Sequence, residues 1–130
     1  MNHLNQIIIE GNVVKEPEKK VTLTGNSACT VTIACEKAYR KQNGEIEKVL
    51  SYFDIDAWGS LADACEKNCT KDRGIRAVGC LRQNRWRDSD GKMNSKIVIV
   101  AEHIEFLKEM KKEEKKKPAK KRDNSVGMEM

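Results

Sequence analysis

The sequence predicts an all-β domain with one short helix, arranged as a five-stranded Greek-key barrel. Two observations lead to this prediction. Five segments show the period-2 alternation or the β-branched runs that are typical of strands, and polar turn residues separate most of them. One further segment, 59–69, has helical spacing and lies between the third and fourth of these strands.

The first strand is predicted from Leu4 to Val14, where a run of three isoleucines precedes Gly11. A glycine inside a strand often marks a bulge or a bend. Pro17 interrupts the segment, and Val21 to Thr24 resumes it ahead of a Gly-Asn turn. We therefore expect a first strand that is broken near Pro17.

The second and third strands are predicted from Ala28 to Tyr39 and from Val49 to Trp58, on either side of a polar loop at 40–47. The second strand alternates between apolar side chains and small polar ones. In the third strand, an apolar face carries Phe53, Ile55 and Ala57. The opposite face is polar and aromatic, with Tyr52, Asp54, Asp56 and Trp58.

The helix is predicted from Gly59 to Cys69, with Ser60 as its amino-terminal cap. Strands from Ile75 to Trp86 and from Lys96 to Leu107 follow, joined by a hairpin loop at 88–94. Three strands, a helix and two strands make the element order of the OB-fold barrel. In that barrel, oligonucleotides lie across the second and third strands and between the loops after the first and fourth strands.

The positive charge of the chain is unevenly distributed. Residues 1–107 carry 16 Lys and Arg against 15 Asp and Glu, whereas residues 108–130 carry 9 against 5. Most of the net charge of +5 therefore belongs to the last segment. We predict one domain at 1–107 and a basic, disordered tail at 108–130.

Cysteine and histidine usage indicates neither a metal site nor a cofactor. The five cysteines form no Cys-x-x-Cys pair, and the two histidines lie at opposite ends of the chain. We expect buried, reduced thiols, no metal and no cofactor. No apolar run is long enough to span a membrane, and the amino terminus lacks a signal core, so we expect a cytoplasmic protein.

The stretch 79–91 carries the strongest local indication of function. Trp86 stands between Arg85 and Arg87 and is followed by an Asp-Gly turn. Cations beside an exposed ring suit a flexible nucleic-acid strand, because phosphates contact the charges and a base stacks on the ring. The alternative is a solvated basic hairpin whose Trp completes the core.

The same residues resemble the bacterial single-stranded DNA-binding proteins over positions 1 to about 107. Each matching piece is short, and together they occur in the right order and at the right spacing. The pieces are Ile8 to Asn12, Ala28 to Ala34, Trp58 to Asp63, Gly79 to Arg82 with Arg85, Trp86 and the Asp-x-x-Gly turn, and Ile97 to Leu107.

The resemblance implies which residues bind DNA. The base-stacking residues would be Tyr39, Tyr52, Trp58 and Trp86. The phosphate partners would be Arg40, Lys41, Arg82, Arg85, Arg87, Lys92 and Lys96. It further implies a nucleoid-associated homotetramer that binds and protects single-stranded DNA without sequence preference during replication, recombination and repair, and that is not an enzyme.

Three positions and the last segment depart from the family's pattern. Asp54 stands where a basic or neutral polar side chain is usual, and Ser60 replaces a frequent lysine before the helix, so both should weaken phosphate contacts. Phe53 replaces a subunit-contact histidine. The segment 108–130 lacks the acidic tip that recruits replication and repair enzymes in this family, so we expect poor recruitment of those enzymes.

Two other functions fit the same barrel. A metal-dependent nuclease would use Asp54 and Asp56 as ligands on one strand face. An accessory interaction module similar to primosomal replication proteins would bind both DNA and a protein partner. Two aligned carboxylates are a weak indication of a nuclease, and the full set of aromatic residues, Trp86 included, favours DNA coating over the accessory module.

Overall fold

Six strands and one helix follow one another in the computed structural model, which describes residues 2–107. In chain order they are β1 (Ile7–Val13), β2 (Glu18–Val21), β3 (Ser27–Arg40), β4 (Ile46–Trp58), α1 (Ser60–Asn68), β5 (Gly74–Arg87) and β6 (Met93–Phe106). The prediction of an all-β domain with one short helix is confirmed. The predicted tail at 108–130 lies outside the described residues.

Five of the strands close into a barrel. Strand β1 pairs with β5 along its length and with β3 at Asn12 and Val13. The parallel pairing of β4 with β6, at Ile55 and Asp56, closes the ring. Closure pairs strand edges that would otherwise be exposed. The sixth strand, β2, is a short edge strand on β3, so the predicted five-stranded barrel is confirmed.

The strand after Pro17 begins and ends earlier than predicted. We predicted a strand at 21–24, whereas β2 ends at Val21. Residues 22–26 form a hairpin turn instead, in which the Thr22 N–H donates to the Asn26 carbonyl at 2.8 Å. Gly25 takes a φ of 90° there, which glycine adopts without a steric cost.

Helix α1 begins one residue differently from the prediction. The residue before its first turn is Gly59, with φ 66° and ψ −136°, and no side chain caps the amino terminus. The prediction of Ser60 as the cap is therefore wrong. The reversal out of β4 requires a positive φ at Gly59, which makes Ser60 the first helical residue.

Two long hairpins, β3–β4 and β5–β6, extend beyond the barrel as arms. Their loops are shorter than predicted because strand pairing continues to Arg40 and Ile46 in one arm and to Arg87 and Met93 in the other. In the second loop, the Asp88 carboxylate accepts hydrogen bonds from the backbone N–H groups of Asp90 and Lys92, at 3.0 and 2.9 Å.

The barrel interior is filled by aliphatic side chains and by thiols. Its largest fully buried members are Ile33, Ile55, Ile75, Ile99, Val13, Val31, Cys29, Cys65 and Cys69. Burial raises the pKa of the Cys29 thiol to about 11, which keeps it protonated. All five cysteines are free; two of them, Cys35 and Cys80, are only partly buried, contrary to the expected burial. Among residues 2–107, no helix has the length and apolar character needed to cross a membrane.

Candidate functional site

One outward surface of the barrel collects three of the four predicted base-stacking residues, both aspartates of β4 and two of the seven predicted phosphate partners. Because Ile55 and Ala57 are buried, the alternate residues of β4 point outward. The side chains that we call the polar face come from four strands. They are Thr30 and Thr32 of β3, Asp54 and Asp56 of β4, Arg82 of β5 and Lys96 of β6.

Three of the four predicted base-stacking residues lie on this same surface. Tyr52 is 61% exposed, Trp58 44% and Trp86 47%. Six residues separate Tyr52 from Trp58 along β4, which corresponds to about 20 Å in a strand. Because β4 and β6 run parallel, and Trp86 pairs with Asn94 near the start of β6, Tyr52 and Trp86 lie toward one end. Trp58 lies toward the other end.

The fourth aromatic residue, Tyr39, lies on the other face of the β3–β4 arm. Every second residue of β3 from Val31 and Ile33, which are buried, leads to Tyr39, so these three share a face. Tyr52, by contrast, pairs with Ala34 on the outward face. Tyr39 is 48% exposed because the arm extends beyond the barrel. The structure therefore does not bring Tyr39 onto the surface that Tyr52 shares with the two tryptophans, and the period-2 pattern already carried this signal.

Each aspartate of the polar face is held between a threonine and a cation. The Thr32 hydroxyl donates to Asp54 Oδ1 at 2.7 Å, and Lys96 Nζ donates to Asp54 Oδ2. We call these three residues the Asp54 rung.

The second set, the Asp56 rung, is parallel to the first. The Thr30 hydroxyl donates to Asp56 Oδ1 at 3.0 Å, and an Arg82 nitrogen lies 3.5 Å from Asp56 Oδ2. Two negative and two positive charges thus cancel at the centre of the surface.

Sequence reasoning missed the two threonines. Strand pairing places Thr32 opposite Asp54 and Thr30 opposite Asp56, so the rungs follow from the register of β3 against β4. The signal in the sequence was that the two threonines are two residues apart, as are the two aspartates, so that both pairs can face each other across neighbouring strands. It becomes informative only when the register is known.

The environment of Asp54 shifts its ionisation. Partial burial alone would raise the pKa of Asp54, but the hydrogen bonds from Lys96 and Thr32 outweigh it. The pKa of Asp54 is therefore lower than its ordinary value of 3.8. The carboxylate is ionised throughout the neutral range.

This lowered pKa predicts how acid acts on the fold. A carboxylate with a lower pKa in the folded state stabilises the fold above its unfolded pKa, and this contribution is lost as pH falls through the folded value. Denaturant unfolding at a series of pH values should show the free energy of unfolding of the wild type falling below about pH 3.8. The Asp54→Asn variant should lose less over that interval; equal losses would contradict the role of the ion pair.

The remaining predicted phosphate partners are differently engaged. Lys41 Nζ lies 3.8 Å from a Glu47 oxygen, and Arg87 donates to the Gly91 carbonyl at 3.0 Å. Within residues 2–107, no ion pair engages the side chains of Arg40, Arg85 or Lys92, which lie in or beside the two arms. Of the predicted phosphate partners, Lys41, Arg82 and Lys96 therefore face carboxylates. Within residues 2–107, the other four hold no ion pair.

The two aspartates do not form a metal-binding cluster. Each carboxylate already accepts a threonine hydrogen bond and faces a cation. Across the part of the chain that the structure describes, no group of three or more His, Cys, Asp or Glu side chains converges on one point. This arrangement suits charge neutralisation rather than cation binding.

Comparison with known proteins gives a consistent result. Residues 4–107 match the model of the Single-strand binding protein family. The chain is 31% identical over 113 residues to Single-stranded DNA-binding protein 2 of Chlorobaculum tepidum, covering 86% of this chain and 76% of that protein. It is 32% identical over 111 residues to Single-stranded DNA-binding protein 1 of Clostridium acetobutylicum, covering 85% and 98%.

A solved structure shares the fold. The Plasmodium falciparum SSB complex with ssDNA superposes with a TM-score of 0.76, covering 83% of this chain and 98% of that one. The sequence identity is 22%, so this likeness concerns the barrel and its connections rather than individual residues.

Proposed function

This chain belongs to the single-strand binding protein family, and we propose that it binds single-stranded DNA without sequence preference. In this role it covers and protects exposed strands during replication, recombination and repair. The observation that carries the proposal is the placement of three half-exposed rings, Tyr52, Trp58 and Trp86, on one surface of a closed barrel. The relatives in Chlorobaculum and Clostridium carry the name of this activity.

Base stacking supplies the part of the affinity that is independent of sequence. Every base has a π-face, and stacking on an aromatic side chain contributes about 1–3 kcal/mol per base. The separation of Tyr52 from Trp58, about 20 Å along the strand, is too long for adjacent stacked bases. A strand would therefore bridge the rings with several nucleotides, and its phosphates would cross the surface between them.

The cations of the arms supply the salt-sensitive part. We propose Arg40, Arg85, Arg87 and Lys92 as the main phosphate partners, since none of them is paired with a carboxylate in the described residues. Each phosphate neutralised on a single strand contributes about −0.7 to the slope of log affinity against log salt. Tyr39, on the opposite face of the β3–β4 arm, would contact a strand that wraps around that arm.

Intrinsic tryptophan fluorescence tests the proposal directly. Oligo(dT) should quench the emission of Trp58 and Trp86 strongly, because a base stacks on each exposed ring. Duplex DNA of equal length should quench little, and raising the salt concentration should weaken binding. Equal, salt-sensitive binding to both without quenching would mean that the aromatic rings are structural and that the proposed function is wrong.

We also propose that the chain assembles as a homotetramer. Exposed apolar side chains support this proposal, among them Ile8 on β1, which is 67% exposed, and Phe53 on β4, which is 39% exposed. The mass in solution tests this. A dimer would favour the accessory interaction module over the strand-coating role.

We further propose that the protein is cytoplasmic, associated with the nucleoid, and performs no chemistry on DNA. Members of this family bind DNA without catalysis, and both carboxylates of the polar face are already paired with cations. A labelled oligonucleotide incubated with the protein and Mg²⁺ should stay intact. Its cleavage would restore the nuclease alternative.

A further inference from the structure

Lys96 and Asp54 meet at the centre of the surface that the proposed function assigns to DNA. Strands β4 and β6 pair in parallel at Ile55 and Asp56, just after Asp54. The Lys96 side chain extends from β6 to Asp54, and its ammonium group contacts Asp54 Oδ2. The Lys96 side chain is 53% exposed and the Asp54 side chain 21% exposed. An exposed cation is therefore attached to a carboxylate that is mostly shielded from solvent.

The carboxylate is fixed in position. Asp54 Oδ1 accepts the Thr32 hydroxyl at 2.7 Å while Oδ2 accepts Lys96, so both oxygens are engaged from opposite sides. Charge-assisted hydrogen bonds are about twice as strong as neutral ones. A phosphate that recruited Lys96 would have to replace this contact and would leave the Asp54 charge facing the DNA backbone.

The Asp56 rung shows that this restraint differs between the two cations. An Arg82 nitrogen lies 3.5 Å from Asp56, a looser contact than the direct hydrogen bond of the Asp54 rung, and Arg82 also donates to Asn84 at 3.1 Å. Arg82 thus retains guanidinium donors for a phosphate. The restraint is tighter at Lys96.

From this geometry we propose that Asp54 sets the DNA affinity of the protein by acting as the intramolecular counter-ion of Lys96. Lys96 then contributes little to binding although it lies on the DNA surface. This inference rests on the proposed function and goes beyond it. According to this inference, the ion pair at the centre of the surface limits the DNA affinity, and the cations of the arms make most of the phosphate contacts.

The test is a double-mutant cycle in the full chain with Asp54→Asn, Lys96→Gln and the double variant, measured with oligo(dT). Asparagine keeps an oxygen for Thr32 and removes the charge. Asp54→Asn should bind roughly three- to tenfold more tightly at low salt, with a slope steeper by about 0.7. Lys96→Gln should cost at least about threefold more affinity when combined with Asp54→Asn than in the wild-type chain, since only without the Asp54 charge is Lys96 free to contact phosphate.

Asp90→Asn is the matched control, because Asp90 contributes only its backbone N–H to the hydrogen bonds of the described residues and holds no cation. An equal gain in affinity from Asp90→Asn would mean a general charge effect and would overturn the proposal. Additive effects in the cycle would overturn it too, as would the absence of any gain from Asp54→Asn. Failure of the wild type to bind oligo(dT) would instead disprove the proposed function.

Discussion

Replacing Trp86 with alanine should weaken oligo(dT) binding by about 5- to 150-fold, the equivalent of one lost stacking contact of about 1–3 kcal/mol. Trp86 is 47% exposed on the β5–β6 arm, so its removal leaves little space in the core and should hardly change the free energy of unfolding. The loss should be similar for oligo(dT) and mixed sequences. The quenching of Trp58 fluorescence measures the affinity for oligo(dT), and a competition assay measures the affinity for mixed sequences.

The matched control for Trp86→Ala is Ile97→Ala. Ile97 is an apolar residue of the same arm and is 62% exposed. It comes directly after Lys96 in β6, so it lies on the face of the arm opposite to Trp86. Its removal should leave DNA affinity within about twofold, and Trp86→Phe should retain most of the wild-type affinity. Equal losses from Ile97→Ala and Trp86→Ala would indicate that the arm as a whole, rather than the ring, determines binding.

Replacing Gly79 with alanine should lower the free energy of unfolding by about 3 kcal/mol, because the added methyl group meets backbone. A Cβ atom at Gly79 would lie 2.9 Å from the Val100 carbonyl carbon and 3.1 Å from Ala101 Cα, and it would also clash with the Val100 carbonyl oxygen. The pairing of β5 with β6 shifts register between Val78 and Gly79, at this same point. Denaturant unfolding measures the loss.

Gly91→Ala separates this packing effect from the general cost of replacing a glycine. Gly91 has a φ of 81° in the β5–β6 loop, and nothing lies within 4 Å of an added Cβ atom. The strain of a positive φ should lower the free energy of unfolding by about 1 kcal/mol. If Gly79→Ala cost no more than Gly91→Ala, the close approach of β5 and β6 would not be important for stability.

The sequence by itself determined the elements and the face of β4 that carries the candidate site. Alternation in that strand separates Ile55 and Ala57 from Tyr52 and Trp58, because a strand can bury only one side against a core. The helix was predicted because the spacing of apolar residues changes from every second residue in β4 to helical spacing in residues 59–69. The cap at Gly59 was not predicted, and the turn predicted at Gly25 and Asn26 begins earlier, at Thr22, because backbone reversals at strand ends outweighed local propensities there.

Only the tertiary structure decided which charges of that surface are available. Asp54 is 22 residues from Thr32 and 42 residues from Lys96 in sequence, and the Asp54 rung exists because β4 lies between β3 and β6. From the sequence, Lys96 and Arg82 were equivalent to the arginines of the arms. Strand register and barrel closure, which depend on packing between distant segments, paired these two cations with aspartates and left Arg40, Arg85, Arg87 and Lys92 without a carboxylate partner in residues 2–107.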